Sequence, residues 1–447
     1  MAPGQVAVVL ALLFGLATTG ISAVTVTLPA LADDLSVGAA GSTWVVSGYA
    51  VALAVGTAVH GRVADLVGIR APLVVGVLLM ACGALVSSAA STFPMLLAGR
   101  VLQGAGAAAV PVLATALVIE RWDGPVRAGA LARVVGAGAA VNSLGPLIGG
   151  GLAAAAGGWR WTMALPVVGL LAVPVIWRTA PAAGTPGRLD VPGALLVAGA
   201  SSGLVLLIQS PAAGVAVAWV GAGLLALAAP ALVVWVRARP NGFLPRAVVT
   251  NGVVLRHSFA AAAVPAGWFA LLVAVPLALA ERGWSPLGVG LVLVPSAFAA
   301  LVMPRATGAL LPRLGATRAL TVAGLTVGLA LLVAAAGALV GVPAMLVVAV
   351  VLVTVAFGLG QPALITAVGD AVLEEQRGVA IGVATLIILV GAGVGSATIG
   401  GLAEPLGLGA ALAVLALLPA AGTTVLLAHR HAVEQPPSAT QLAPPPC

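Results

Sequence analysis

Long apolar stretches alternate with short polar joints along the whole chain. Windows free of Asp, Glu and Arg run over 6–32, 35–61, 71–99, 101–119, 134–159, 161–177, 191–236, 257–280, 283–304, 319–369, 378–403 and 405–429. A helix crossing a bilayer takes about 20 apolar residues, so most windows hold one span each. The two double-length windows break at Ser210-Pro211 and at Gly341-Val342-Pro343, both turn signals. The pattern predicts fourteen spans. The period-2 alternation of barrel strands is absent, and helices satisfy every backbone group inside lipid. The expected class is an all-α integral membrane protein with fourteen transmembrane helices.

Composition sharpens this picture. Only 7% of the 447 residues are charged, where a soluble domain carries about a quarter. The loops between spans are too short for a soluble catalytic domain. Ala30-Leu31-Ala32 looks like a signal-peptide cleavage site, but Met1 to Gln5 carries no positive charge and the apolar run is about twice the usual length. It is read as span 1. Cys82 and Cys447 offer no disulfide or CxxC chemistry.

All 19 basic residues are arginine. With the excess of Ala and Gly this reads as GC-rich codon usage, and nucleic acid is not an expected partner. If the N-terminus is cytoplasmic, sixteen arginines from Arg62 to Arg430 fall inside, Arg160 and Arg282 fall outside, and Arg100 lies within span 4. That positive-inside bias places both termini in the cytoplasm and the chain in the inner (plasma) membrane. Trp44, Trp159, Trp161 and Trp284 at outer span ends, with Trp122, Trp177 and Trp235 at inner ones, form the expected interfacial belt. The Pro-, Ala- and Gln-rich tail over 431–447 is expected to be disordered.

Two parts of the chain repeat. Gly61 and Gly68 lie seven apart in the joint between spans 2 and 3, and Gly308 to Gly315 has the same spacing 247 residues later. Gly104-x-Gly106 is answered by Gly358-x-Gly360, and Arg127 by Arg377, at offsets of 254 and 250. The expected layout is a six-helix half over 1–179, a two-helix insertion over 180–245 and a second six-helix half over 246–430. Duplicated helical halves with a site between them near the midplane are the plan of alternating-access transporters.

These residues carry a family resemblance. The loop from Gly61 to Arg70 resembles the GxLaDrxGrk signature of the major facilitator superfamily. LLAGRVLQGAG over 96–106 is similar to that family's arginine-bearing fourth-span motif. Gly145-Pro146 with Gly149-Gly150 resembles the GPxxGG motif of its antiporter branch. Leu28-Pro29 with Asp34-Leu35, the WVVSGYAVALA run from Trp44, and Gly158-Trp159-Arg160-Trp161 match the style of its 14-span drug:proton antiporters. The resemblance implies a major facilitator-type fold with two extra central helices. It also implies efflux of lipophilic drugs or antibiotics by proton-coupled antiport. The expected partners are a small lipophilic molecule, protons and the lipid bilayer. No cofactor or metal is expected, and the chain is expected to act as a monomer.

Each motif has a functional reading and a plainer one. Gly61 and Gly68 let two helices turn and approach closely. Asp65, flanked by Arg62 and Arg70 and within reach of Arg127 or Arg133, is implied to be a conformational latch; the plainer reading is a solvated acid. Pro312 stands at the matching place in the second part, so one latch carboxylate is expected. Arg100 either faces a cavity with a polar partner, for which Gln103 is one turn away, or snorkels to a rim about 7 Å off. Pro146, with Asn142, Gly145, Gly149 and Gly150, marks a hinge or ordinary small-residue packing. Phe14, Ser22 and Thr25 in span 1 and Trp268 and Phe269 in span 9 are candidate substrate-lining residues, with helix packing as the competing use.

The resemblance thins in span 1, where Gly20 stands at the place this branch gives to an acid. No Asp or Glu lies deep in any span, and Asp33 and Asp34 at the rim are the remaining candidates for a proton carrier. Proton coupling therefore rests on the resemblance. A membrane enzyme needs paired carboxylates or a metal cluster. Asp33-Asp34 and His429-x-His431 have no partner motif, so catalysis is not expected. An importer or uniporter of a small metabolite with the same fold is the competing function.

Overall fold

The apolar windows fold as helices in a computed structural model, which describes residues 3–155, 158–184, 190–240 and 242–434. In chain order they are α1 (Gly4–Thr25), α2 (Trp44–Val67), α3 (Arg70–Ser88), α4 (Phe93–Arg121), α5 (Gly124–Ser143 continued by Gly145–Ala153), α6 (Trp159–Thr179) and α7 (Val191–Ala213). There follow α8 (Val215–Ala238), α9 (Gly252–Ala280), α10 (Pro286–Leu314), α11 (Ala316–Val340), α12 (Pro343–Asp370), α13 (Arg377–Leu406) and α14 (Leu408–Ala428). Thirteen of these, all but α5, are long and apolar enough to cross a membrane among the described residues. The expected span 5 falls on α5, and several of its side chains lie outside the described residues.

Proline sets the interruptions. It lacks the N–H that continues a helical ladder. α5 breaks at Leu144, two residues before Pro146. The middle of α6, Leu165–Ala172, tightens into a 3-10 helix whose second residue is Pro166 and which ends just short of Pro174. The break expected at Ser210-Pro211 needs correction. Pro211 sits inside α7, and the helix ends at Gly214, whose φ of 98° glycine alone adopts readily. The other break lies as expected at Gly341, in the left-handed conformation with φ 78°. The chain's last helix runs on to Glu434, past the expected boundary at 430, and the tail over 435–447 lies outside the described residues.

The repeated joints have one backbone geometry. Gly68 ends α2 with φ 84° and ψ 168°, and Gly315 ends α10 with φ 75° and ψ 159°. Burial grades the helices. The most apolar window of α9 is 89% buried and that of α1 67%, whereas that of α8 is 11%. α7 packs on α13 and α2, and α8 leans on α7 with Val215, Trp219 and Leu227 outward. An exposed face of that composition suits lipid, not water.

Candidate functional site

The arginine of α4 sits in a closed setting made by glycines. A methyl on Gly99 would stand 2.8 Å from the Ser87 nitrogen on α3, and one on Gly104 2.6 Å from the Tyr49 carbonyl oxygen on α2. That close approach leaves Arg100 0% exposed, so it does not snorkel. Its Nε donates to the Val45 carbonyl at 3.1 Å and its Nη1 to Gln103 Oε1 at 2.6 Å. The guanidinium lies 4.2 Å from the centre of the Tyr49 ring, whose hydroxyl donates to the Ala17 carbonyl at 2.8 Å. Arg100 Nη2 and Gln103 Nε2 are buried without a hydrogen-bond partner. An arginine deep in a span costs about 2.5–3.5 kcal/mol on insertion scales, which the hydrogen bonds and the cation–π contact offset in part. Gly20 of α1 faces the same group. A methyl there would stand 3.4 Å from the Tyr49 hydroxyl and 3.6 Å from Gln103 Nε2.

The joint between α2 and α3 divides its charges. Arg62 Nη1 lies 3.6 Å from Asp65 Oδ2, with both side chains largely exposed. Arg70 turns to the segment after α6. Its backbone N–H donates to the Pro181 carbonyl at 3.0 Å, its Nε to the Ala180 carbonyl at 2.9 Å, and its guanidinium lies 5.7 Å from the Trp177 ring. Gly68 docks on the same segment, where a methyl would stand 2.7 Å from the Ala182 carbonyl carbon. Gly61 has an ordinary neighbour, Val112 Cγ1, 3.7 Å from a methyl's place. Arg127 pairs with Asp123 at 3.8 Å. Segment 180–184, Ala-Pro-Ala-Ala-Gly, carries no motif and was not legible as a docking partner.

Chain segments far apart in sequence meet at the end of the bundle marked by Trp44. Ser22 Oγ of α1 donates to the Asn142 carbonyl of α5 at 2.9 Å; a methyl on Gly145 would strike Ser22, and one on Gly149 the Ala23 carbonyl. Gly150 faces α10, where a methyl would stand 2.9 Å from Leu287 Cα. Gly290 of α10 answers it, 3.0 Å from Leu147 Cα by the same measure. A second contact joins α2, α7 and α13. Ser47 Oγ lies 3.0 Å from Ser396 Oγ and accepts from Gln209 Nε2 at 2.7 Å. A methyl on Gly400 would strike Thr43, and one on Gly401 would stand 2.9 Å from Gln209 Cα. At the arginine-rich end, methyls on Gly129, Gly308, Gly378 and Gly382 would meet nothing within 4 Å. α13 shows the contrast within one helix: open at Gly378 and Gly382, closed at Gly400 and Gly401.

The remaining sequence candidates are placed as follows. Ser22 and Thr25 are buried, and Thr25 Oγ1 donates to the Ser22 carbonyl at 3.0 Å, so in this conformation both serve helix contacts and not an open wall. Phe14 packs on Gly138, where a methyl would stand 2.9 Å from its Cγ. Trp268 is half-buried and makes an aromatic cluster with Phe269 at 5.3 Å and Phe357 at 5.5 Å. Asp34 accepts from Arg160 Nη1 at 2.6 Å and Trp159 Nε1 at 3.0 Å. These bonds, that from Arg160 foremost, hold its carboxyl below the usual range. A carboxylate so held is a poor proton carrier.

Comparison with known proteins decides the family. The Major Facilitator Superfamily model matches residues 10–325 and 257–446. The chain belongs to the major facilitator superfamily. An uncharacterised MFS-type transporter of Mycobacterium tuberculosis is 31% identical over 407 residues, covering 88% of this chain and 58% of the relative. The multidrug resistance protein Stp of the same species is 30% identical over 330 residues, covering 69% of this chain and 59% of Stp. The chain thus spans somewhat less than three fifths of these relatives' lengths. Among solved structures, a POT family transporter in complex with 5-aminolevulinic acid superposes with TM-score 0.72 at 11% identity over 96% of both chains. A peptide transporter POT in complex with sulfate does so with TM-score 0.72 at 14% identity over 97% of this chain and 99% of the other. At such identity the likeness concerns the fold.

This major facilitator chain is thus a multi-pass membrane protein of a transporter family. Its helices are in backbone contact at the Trp44 end and free of such contact at several glycines of the other. Gly290, Ser47, Ser396 and Gln209, which form the contacts at the Trp44 end, escaped the sequence reading. A lone glycine or a short hydroxyl carries no signal of its own. Gly290 within the Pro286-Leu287-Gly288-Val289-Gly290 stretch was the available clue.

Proposed function

We propose that this protein exports lipophilic drugs or antibiotics by alternating access, with protons as the coupling ion. On this reading residues 1–179 and 246–430 are the two moving halves, 180–245 is an inserted helix pair, and the arginine-rich end faces the cytoplasm. The observation that carries the mechanism is where glycines bring the two parts together: Gly150 and Gly290 press α5 and α10 backbone to backbone at the Trp44 end, while Gly129, Gly308, Gly378 and Gly382 at the arginine-rich end meet nothing within 4 Å, as a bundle closed on one side would have. Arg62 and Asp65 serve as the latch at the cytoplasmic end, Arg100 and Gln103 as the polar group in the cavity wall, and the break before Pro146 as the hinge. The half-buried Trp268, beside Phe269, offers a surface for flat apolar cargo. Similarity to a multidrug resistance protein supports the cargo class. The test is dye or antibiotic movement in proteoliposomes with and without an imposed pH gradient. Gradient-driven export is the expected result, and movement indifferent to the gradient refutes antiport.

A second reading, uptake or facilitated movement of a small metabolite, is favoured by Gly20, which leaves α1 without an acid. In cells, loss of the protein raises internal drug under the first reading and lowers metabolite uptake under the second.

A further inference from the structure

We infer that Arg100, Gln103 and the space over Gly20 form a binding subsite for a compact anion, either the carboxylate of a cargo molecule or a halide. Arg100 is fully buried and takes part in none of the ion pairs among the described residues. Two of its group's donors, Arg100 Nη2 and Gln103 Nε2, have no partner. The orientation of Gln103 is fixed because its Oε1 accepts from Arg100 Nη1. Its nitrogen is thereby turned to Gly20, 3.6 Å from where a methyl would stand, with Tyr49 Oη at 3.4 Å and Pro166 Cγ at 3.9 Å as walls. Gly20 has no side chain to fill that place. A guanidinium and an amide that touch each other and each keep a buried N–H without an acceptor suit a charged acceptor, and hydrogen bonds to an ion are about twice as strong as neutral ones.

The site is sealed in this conformation, and α2 forms one wall of it. That helix supplies the Val45 carbonyl and the Tyr49 ring that hold Arg100. It also carries Ser47 of the contact with α13. On this inference the anion enters when the two halves part at that contact and, by binding the parted state better, favours it. This inference rests on the transporter reading, in which the Trp44 end opens.

The full chain in lipid nanodiscs is titrated with sodium chloride and, separately, sodium benzoate, at ionic strength held constant with the bulkier isethionate. The expected result is a saturable rise in Tm of about 2–4 °C with at least one of the two probes. A response to chloride alone assigns the site to a halide, to benzoate alone to a cargo carboxylate, and to both to either anion. Gly20→Asp and Gln103→Glu each supply a tethered carboxylate, and each is expected to weaken the apparent anion affinity at least ~10-fold while the protein stays folded. No saturable response of the unmodified chain to either probe, or an undiminished one in Gly20→Asp, overturns the subsite. Dye efflux in proteoliposomes is read separately. Efflux without an anion response overturns the subsite alone, and an anion response without efflux overturns the drug reading alone.

Discussion

Gly290→Ala offers a direct probe of the contact at the Trp44 end. The added methyl would stand 2.6 Å from the Pro146 carbonyl oxygen and 3.0 Å from Leu147 Cα. Both are backbone atoms, which cannot swing aside as a side-chain tip can. Overpacking of this kind costs about 1–3 kcal/mol, and the whole cost falls on the state in which α5 and α10 touch. A change of that size moves a two-state equilibrium by roughly 5- to 150-fold. Gly151→Ala is the matched control, one residue from Gly150 and with nothing within 4 Å of its methyl. In a background lacking Cys82 and Cys447, spin labels at Ala154 and Glu281 report the separation across this end. The expected outcome is a broadened, longer distance distribution for Gly290→Ala and an unchanged one for the control. A short, narrow distribution in Gly290→Ala, with unchanged Tm, would refute the claim that this glycine pair holds the end closed.

Ser47→Ala leaves the Gln209 amide without its acceptor, and Gln209 Oε1 already has no partner. A loss of about 1–3 kcal/mol is expected in Tm or denaturant melts, with partial recovery when Gln209→Leu is added. Gly315→Ala meets no neighbour and strains only its backbone, at φ 75° and ψ 159° in a region nearly reserved for glycine, at about 1–3 kcal/mol. Gly68→Ala adds a clash with Ala182 and is expected to cost more in the same melt. Asp190 caps α7 through Gly193 and accepts from Trp235 Nε1 and the Phe243 N–H. Burial pushes its pKa up, but the bonds from Phe243, Gly193 and Trp235 and the charge of Arg239 outweigh it and hold the carboxyl below its usual value. With the folded pKa depressed, its stabilisation is present above the unfolded value of about 3.9 and fades as pH falls through the folded one. Asp190→Asn should therefore flatten the melting profile below about pH 4, as followed by circular dichroism.

The sequence revealed what local chemistry specifies. Apolar windows located the helices, the Gly61/Gly68 and Gly308/Gly315 spacings marked two joints of like geometry, and a lone charge in span 4 marked Arg100 with Gln103 as its partner. What it hid depends on approach between segments far apart in sequence. Gly150 and Gly290 meet across 140 residues through absent side chains, and absence has no pattern. Asp34 was weighed as a rim acid and Trp159-Arg160 as a motif, yet their pairing needed α1 and α6 in register. The Pro211 break misled because a proline near a helix end can be absorbed when the true stop, Gly214, lies three residues on.

The uneven glycine contacts also make mutational tolerance a recorder of motion. Gly308, Gly378 and Gly382 have empty space around them here, so for this shape alone an alanine would go unnoticed. If a saturation scan finds those positions as unforgiving as Gly150 or Gly400, selection is acting on an arrangement in which they are pressed against a neighbour. The intolerant positions would then outline the contact surface of the molecule's other shape before anyone has seen it.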